Sequence, residues 1–260
     1  MNLVSDSEVK FLRPPPVPRV RYSRNFIKTA VCEMKFPIVL ELESKPPTGL
    51  QKQLKRAYPL YELRHEFNLS PLPGSDKRNV YVLQSKKRDW TIQVKSDAII
   101  LETTKYADFD EFLDRFKTLL DASRDVMDSD FLTRIGFRYV NEIPIDDGTP
   151  QGWINPALCA ASSADVLGTI HREHHDYGGK TDFGSYSFRH GPNLTSPNCG
   201  KDGVPIPYML DYDYFNENHD IQDAVSFLQQ ANEVNFYFFQ WCLGPKAFQI
   251  LGDSTPKISS

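Results

Sequence analysis

Residues 131–145 read FLTRIGFRYVNEIPI, and the alternation in this stretch decides the fold. Ile135, Phe137, Tyr139 and Ile143 fall on one side of an extended chain; Arg134, Gly136, Arg138 and Glu142 fall on the other. A period of two marks a strand with one face in a core and one outside it. The stretch sits near the middle of the chain, where one helix–sheet unit ends and another begins.

Immediately upstream, DFDEFLDRFKTLLDASRDVM is the strongest helical pattern in the sequence. Phe109, Phe112, Leu113, Phe116, Leu119 and Leu120 form one apolar stripe, with Asp110, Asp114, Arg115 and Lys117 off it. Asp108 and Glu111 have capping-box spacing at its start. Further upstream, residues 61–68, 79–84, 90–95 and 98–104 read as strands. So does TAVCEMKF from Thr29, where Ala30, Cys32, Met34 and Phe36 share a face. Pro46-Pro47 followed by Thr48 and Gln51 predicts a short capped helix that stops near Pro59. Downstream, a short helix is expected around Pro156 and strands at 167–176, 183–190 and 208–215. A long loop spans 191–207, and a closing helix runs from Asp220 to about Leu243.

The halves 25–130 and 131–252 run in the same order: strand, short helix, meander, long helix. The expected fold is α+β, with a largely antiparallel sheet built from two pseudo-repeated halves and the long helices packed on one face. The runner-up is a ferredoxin-like β-α-β-β-α-β unit over 29–145 with an extra strand, the second half being a degenerate copy. Residues 1–24, with Pro14, Pro15, Pro16, Pro18 and four arginines, read as an extended basic arm ahead of a single domain over 25–252. Residues 253–260 read as a fraying tail.

Composition narrows the classes. With 260 residues, 40% hydrophobic and 25% charged, the chain is an ordinary globular protein. A net charge of -4 and a pI of about 5.9 give no global footprint for nucleic acid or anionic membrane. Cys32, Cys159, Cys199 and Cys242 contain no C-x-x-C pair, which argues for reduced thiols and against a structural zinc. No segment reads as a signal peptide or a membrane span, so the expected address is the cytoplasm.

TAVCEMKFP, RIGFRYVNEI and the aromatic run from Phe236 to Leu243 together resemble a sporadically distributed bacterial family of uncharacterised proteins of about this length. The resemblance covers roughly residues 25–252 and is most specific at RIGFRYVNEI. It implies a bacterial cytosolic protein and brings no established activity. The sporadic distribution suggests a mobile system such as phage defence or a toxin–antitoxin pair.

Chemistry-bearing residues cluster in IHREHHD. On a strand, His171, Glu173 and His175 share one face, and Asp211 or Asp213 in DYDYF could join them as ligands for a transition metal. The alternative is a solvated polar strand face without a ligand. The arrangement is not the helical H-E-x-x-H of a metalloprotease. Ser185 lacks a G-x-S-x-G elbow. Gly178-Gly179-Lys180-Thr181 imitates a phosphate loop but lacks its leading glycine, and reads better as a polar hairpin turn. Nucleic-acid binding would draw on Arg134 and Arg138 on the outer face of the central strand, on the basic arm with Lys86-Lys87-Arg88, and on outward Tyr186 and Tyr212 for stacking; the favoured alternative is that the arginines pair with cross-strand carboxylates and the tyrosines are core.

The functional expectation is therefore a non-catalytic protein that binds a protein partner, or a second copy, through an open sheet face or edge. Arg134, Arg138 and Glu142 are the candidate binding residues. The competing readings are a metal-dependent hydrolase or nuclease on His171, Glu173, His175 and Asp211, and an RNA or single-stranded DNA module. No cofactor is implied apart from a divalent metal in the first of these, and no membrane contact.

Overall fold

An alternating strand buries every second side chain, and the central stretch does so once past its first turn of chain. A computed structural model describes residues 10–67, 77–146, 148–159, 173–193, 206–252 and 254–256. In chain order it forms β1 (Val20–Tyr22), β2 (Ile27–Lys35), α1 (Thr48–Leu54), β3 (Leu60–Phe67), β4 (Lys77–Gln84) and β5 (Trp90–Val94). Next come β6 (Ala98–Thr103), α2 (Phe109–Met127), β7 (Phe131–Pro144), β8 (His175–Thr181) and β9 (Gly184–Pro192). The chain closes with β10 (Pro207–Asp220), α3 (Ala224–Cys242), α4 (Pro245–Leu251) and β11 (Ser254–Pro256). Nine strands make one antiparallel sheet in the order β3-β4-β5-β6-β2-β7-β10-β9-β8, so β2 and β7 are neighbours at its centre. β1 and β11 pair separately.

In β7, Ile135, Phe137, Tyr139 and Ile143 are buried, as the sequence pattern requires. Leu132 is buried too, so the alternation slips between Leu132 and Ile135. The chain divides into two units by contact: Thr29–Arg138 with Phe215–Leu228, and Met1–Lys28 with Tyr139–Tyr214 and Gln229–Ser260.

The first unit is built on α2. Asp108 accepts a hydrogen bond from the Glu111 N–H at 2.9 Å, and Asp128 ends the helix in the left-handed region at φ 44°. The apolar stripe then meets the sheet: Phe112 lies 5.0 Å from the Phe137 ring and 5.6 Å from Trp90. Arg115 covers the far side of Trp90, its guanidinium 4.5 Å from the ring, and is held there by Glu111 at 3.0 Å. Cys32 sits opposite Leu101, and Leu101 opposite Ile92, so three adjacent strands present one apolar row. Burying each such side chain contributes roughly 1.5–3 kcal/mol.

One predicted cap forms differently. Thr48 is the first helical residue of α1, and its cap position, Pro47, makes no side-chain bond. The backbone supplies the turn instead, with Thr48 N–H donating to Pro46 O at 2.8 Å. Pro47 fixes its own φ near the helical value, so a side-chain cap is not needed to start the helix.

In the second unit the closing helix packs on β9 and β10. Phe238 lies 4.8 Å from Phe188 and 5.3 Å from Tyr212, and the Tyr139 hydroxyl donates to Asn232 Oδ1 at 3.0 Å. The sequence reading ended with this helix, but α4 follows it. Gly244 permits the corner: a Cβ there would collide with the backbone of Gly152, and Gly244 N–H donates to Trp153 O at 2.7 Å. Within residues 1–24, read as an arm, β1 pairs with β11, which lies in the segment read as a tail. Among the described residues, no helix is long and apolar enough to cross a membrane.

Candidate functional site

Charges on a sheet face are available to a partner only if the fold leaves them unsatisfied. Arg134 is not so placed. Its Nη1 lies 3.1 Å from Glu33 Oε2, and its guanidinium covers the Phe215 ring at 4.7 Å. The side chain crosses Gly136, where any Cβ would clash with it, so Gly136 is what lets the arginine lie down. Arg138 is half-buried on the same face of β7. Glu142 accepts from Asn193 Nδ2 at 2.9 Å and lies 3.8 Å from Lys28 Nζ. Arg134 and Glu142 are thus already held by their own chain.

The histidine cluster is reorganised more deeply. The β8–β9 register sets His175 opposite His190 and Tyr177 opposite Phe188. The imidazoles of His175 and His190 stack at 4.6 Å. Glu173 Oε1 lies 2.6 Å from His175 Nε2. His190 is fully buried; its Nδ1 shares a 2.7 Å hydrogen bond with the Tyr208 hydroxyl. Its Nε2 finds no partner among the described residues. Burial, reinforced by His175 and opposed by Glu173, lowers the His190 pKa to about 4, so the ring is neutral at pH 7. Tyr208 in turn meets the Cys159 thiol, and burial pushes both acids upward, which keeps Cys159 a thiol rather than a nucleophilic thiolate.

Asp211 does not join this cluster. Tyr212 stacks on Phe188, on the His190 face, so the adjacent Asp211 projects to the opposite side. There it is 2% exposed and pairs with Arg189 at 3.3 Å. Glu173 and His175 are brought together, Asp211 is not, and His171 lies outside the described residues. Among the described residues, no group of three His, Cys, Asp or Glu could hold a metal ion. The parity of β10 is the physical reason: a residue next to an inward tyrosine cannot face inward.

The segment read as a hairpin turn at Gly178–Thr181 belongs to β8, with the turn falling after it at Asp182 and Phe183. The Tyr186 ring lies over Gly179, its cross-strand partner, filling the space a side chain would take. Tyr212 is buried beneath Phe238. Neither tyrosine is an outward stacking platform.

What the fold leaves open is an edge. β3 ends the sheet and among the described residues pairs only with β4, through all eight residues from Leu60↔Gln84 to Phe67↔Lys77. Every side chain from Tyr61 to Glu66 is exposed, on both faces. Tyr61 and Leu63 are 47% and 44% exposed. Glu62 and Arg64 pair at 2.8 Å on one face; each pairing stabilises the charged form, holding the carboxyl below its usual range and the guanidinium above. Half of the strand's N–H and C=O groups point away from β4 and have no ladder partner there.

The comparisons add no relative to this picture: no family model matches the chain, and no curated protein matches it. The resemblance carried by TAVCEMKFP and RIGFRYVNEI thus remains one of sequence pattern. Two residues that matter here, His190 and Leu63, escaped sequence reading as site residues. The alternation Tyr186-x-Phe188-x-His190 could have shown His190 facing the core. Nothing in the pattern of residues 61–68 separates an edge strand from an inner one.

Proposed function

We propose that this chain is a non-catalytic binding protein of the cytoplasm that takes an extended segment of a protein partner along the edge of β3. The observation that carries the reading is the run Tyr61–Glu66, exposed on both faces and, among the described residues, bonded on one side only. An open edge offers a ladder of backbone donors and acceptors, and alternate side chains add selectivity. Tyr61 and Leu63 supply apolar grip on one face, with Glu62 and Arg64 supplying charge on the other. The sheet face at Arg134, Arg138 and Glu142 serves as a secondary surface, because its charges are already engaged within the chain.

The pseudo-repeat belongs to the same reading. Outward from the centre the order is β2, β6, β5, β4, β3 on one side and β7, β10, β9, β8 on the other. In each half the leading strand pairs with the last strand of its meander, and the long helix follows that strand, which supports two related halves with their helices on one sheet face. Among the described residues the first half carries one strand more than the second, and β3 is that strand.

A displayed library of random peptides, selected on the wild-type protein, tests the reading. Enriched peptides should lose binding to a Tyr61→Lys/Leu63→Lys double variant and keep it on Arg138→Glu. The reverse pattern moves the site to the sheet face. Peptides indifferent to both changes, together with zinc or manganese binding that is lost in His171→Ala, would favour the metal-enzyme reading instead.

A further inference from the structure

We infer that the partner the β3 edge fits best is a second copy of itself, paired antiparallel about a two-fold axis at Leu63. This rests on the edge reading above and names its occupant. Directly opposed residues in an antiparallel pair lie on the same face, and period two then requires the axis to pass through a residue rather than between two. That leaves few registers to weigh. An axis at Glu62 or Arg64 sets like charges against each other. An axis at Tyr61 pairs Leu63 with Pro59, which has no N–H to give the ladder. An axis at His65 uses only Leu63–Phe67 within the strand.

An axis at Leu63 has none of these faults. It pairs Leu60–Glu66 in full, sets Glu62 against the second copy's Arg64 and Arg64 against its Glu62, and places Leu63 against itself. Tyr61 then lies against His65. The Glu62–Arg64 pair already forms within one chain at 2.8 Å with both side chains about half exposed, so the same two groups reach across the strand without crossing a core. Opposite charges in direct cross-strand register stabilise a pair, and like charges destabilise it by a similar amount. The order Glu-x-Arg therefore admits one register and penalises its neighbours. An edge pairing of this length covers less than the ~800 Å² per partner of a tight complex, so the dimer is reversible and concentration-dependent.

Sedimentation velocity across the micromolar range tests this. The wild-type protein should shift from monomer to dimer. Glu62→Arg and Arg64→Glu should each weaken the dimer by roughly tenfold or more, with unchanged circular dichroism. Mixed one to one, the two variants should recover it, because each strand then meets the opposite charge. A second measurement fixes the register: Leu63→Cys should cross-link to itself on mild oxidation, since directly opposed residues lie within disulfide reach, and Tyr61→Cys should not. A wild-type monomer at every concentration overturns the self-pairing; if selected peptides still bind β3, the edge reading stands. A dimer that ignores both charge variants, or a mixture that fails to re-associate, also overturns it.

Discussion

β8 and β3 are both outer strands of the sheet, seven and eight residues long, and the chain finishes them in different ways. β8 carries a ring-lined inner face, with His175 and Tyr177 stacked over His190 and Phe188, and it contains two glycines. Its outer edge meets the chain's own residues 11–13: Leu12 N–H donates to Lys180 O at 2.8 Å, Phe11 bridges to Lys180, and Arg13 lies 3.8 Å from Asp182. β3 has no such cover among the described residues. It presents alternating opposite charges and two exposed apolar side chains. A flat, ring-bearing edge is a template for indiscriminate pairing and needs a lid. An edge whose charges run in a fixed order can stay open, because most registers penalise themselves.

The largest blow to this contrast comes from the β8 side. Phe188→Ala removes the ring that joins Tyr177, His190, Tyr212 and Phe238, and should cost about 3–5 kcal/mol in urea unfolding. Next comes pH. His190 titrates near 6.5 when unfolded and near 4 when folded, with His175, His174 and Glu173 as the titratable groups around it. Below pH 6.5 the unfolded chain gains a proton that the folded chain refuses, so stability falls as pH drops from about 6.5 to about 4 and no further on this account. The loss should reach about 3 kcal/mol, and His190→Phe should flatten that part of the profile. Leu12→Pro removes the backbone donor to Lys180 O and should cost about 1 kcal/mol, with faster hydrogen exchange at β8 amides. Smallest of all, Tyr61→Lys at low protein concentration should change unfolding by less than about 0.5 kcal/mol. If it costs as much as Leu12→Pro, β3 is not a free edge and the contrast collapses.

The sequence anticipated the elements whose evidence is local. Trp90, Ile92 and Val94 announce a strand by their own spacing, and Asp108 with Glu111 announces the start of α2. Both are found where the pattern puts them. β2 and β7, which the expected order of two matching halves sets in corresponding places, are neighbours at the centre of the sheet. Pairing that joins distant residues was otherwise not legible. β1 and β11 are three residues each, too short to carry a period, and their partnership depends on the two segments meeting. The separation of Asp211 from His175 was illegible for a similar reason. Facing was inferred strand by strand for His175 and Asp211, but only the β8–β9 register and the Phe188–Tyr212 stack reveal that they look in opposite directions. That Arg134 pairs with a cross-strand carboxylate was legible, but not which one, because its acceptor, Glu33, lies about a hundred residues earlier in the sequence.

The place of β2 at the middle of the sheet has a consequence during synthesis. Its two hydrogen-bonding partners, β6 and β7, both leave the ribosome after it, the nearer beginning at Ala98. At roughly 5–20 residues per second, β2 waits about 3–12 seconds with both backbone edges bare. The strand crosses that interval carrying Ala30, Cys32 and Met34 on one side, and Glu33 and Lys35 on the other. Those two charges keep one nascent chain from zipping onto the next until the meander that will receive it has been made.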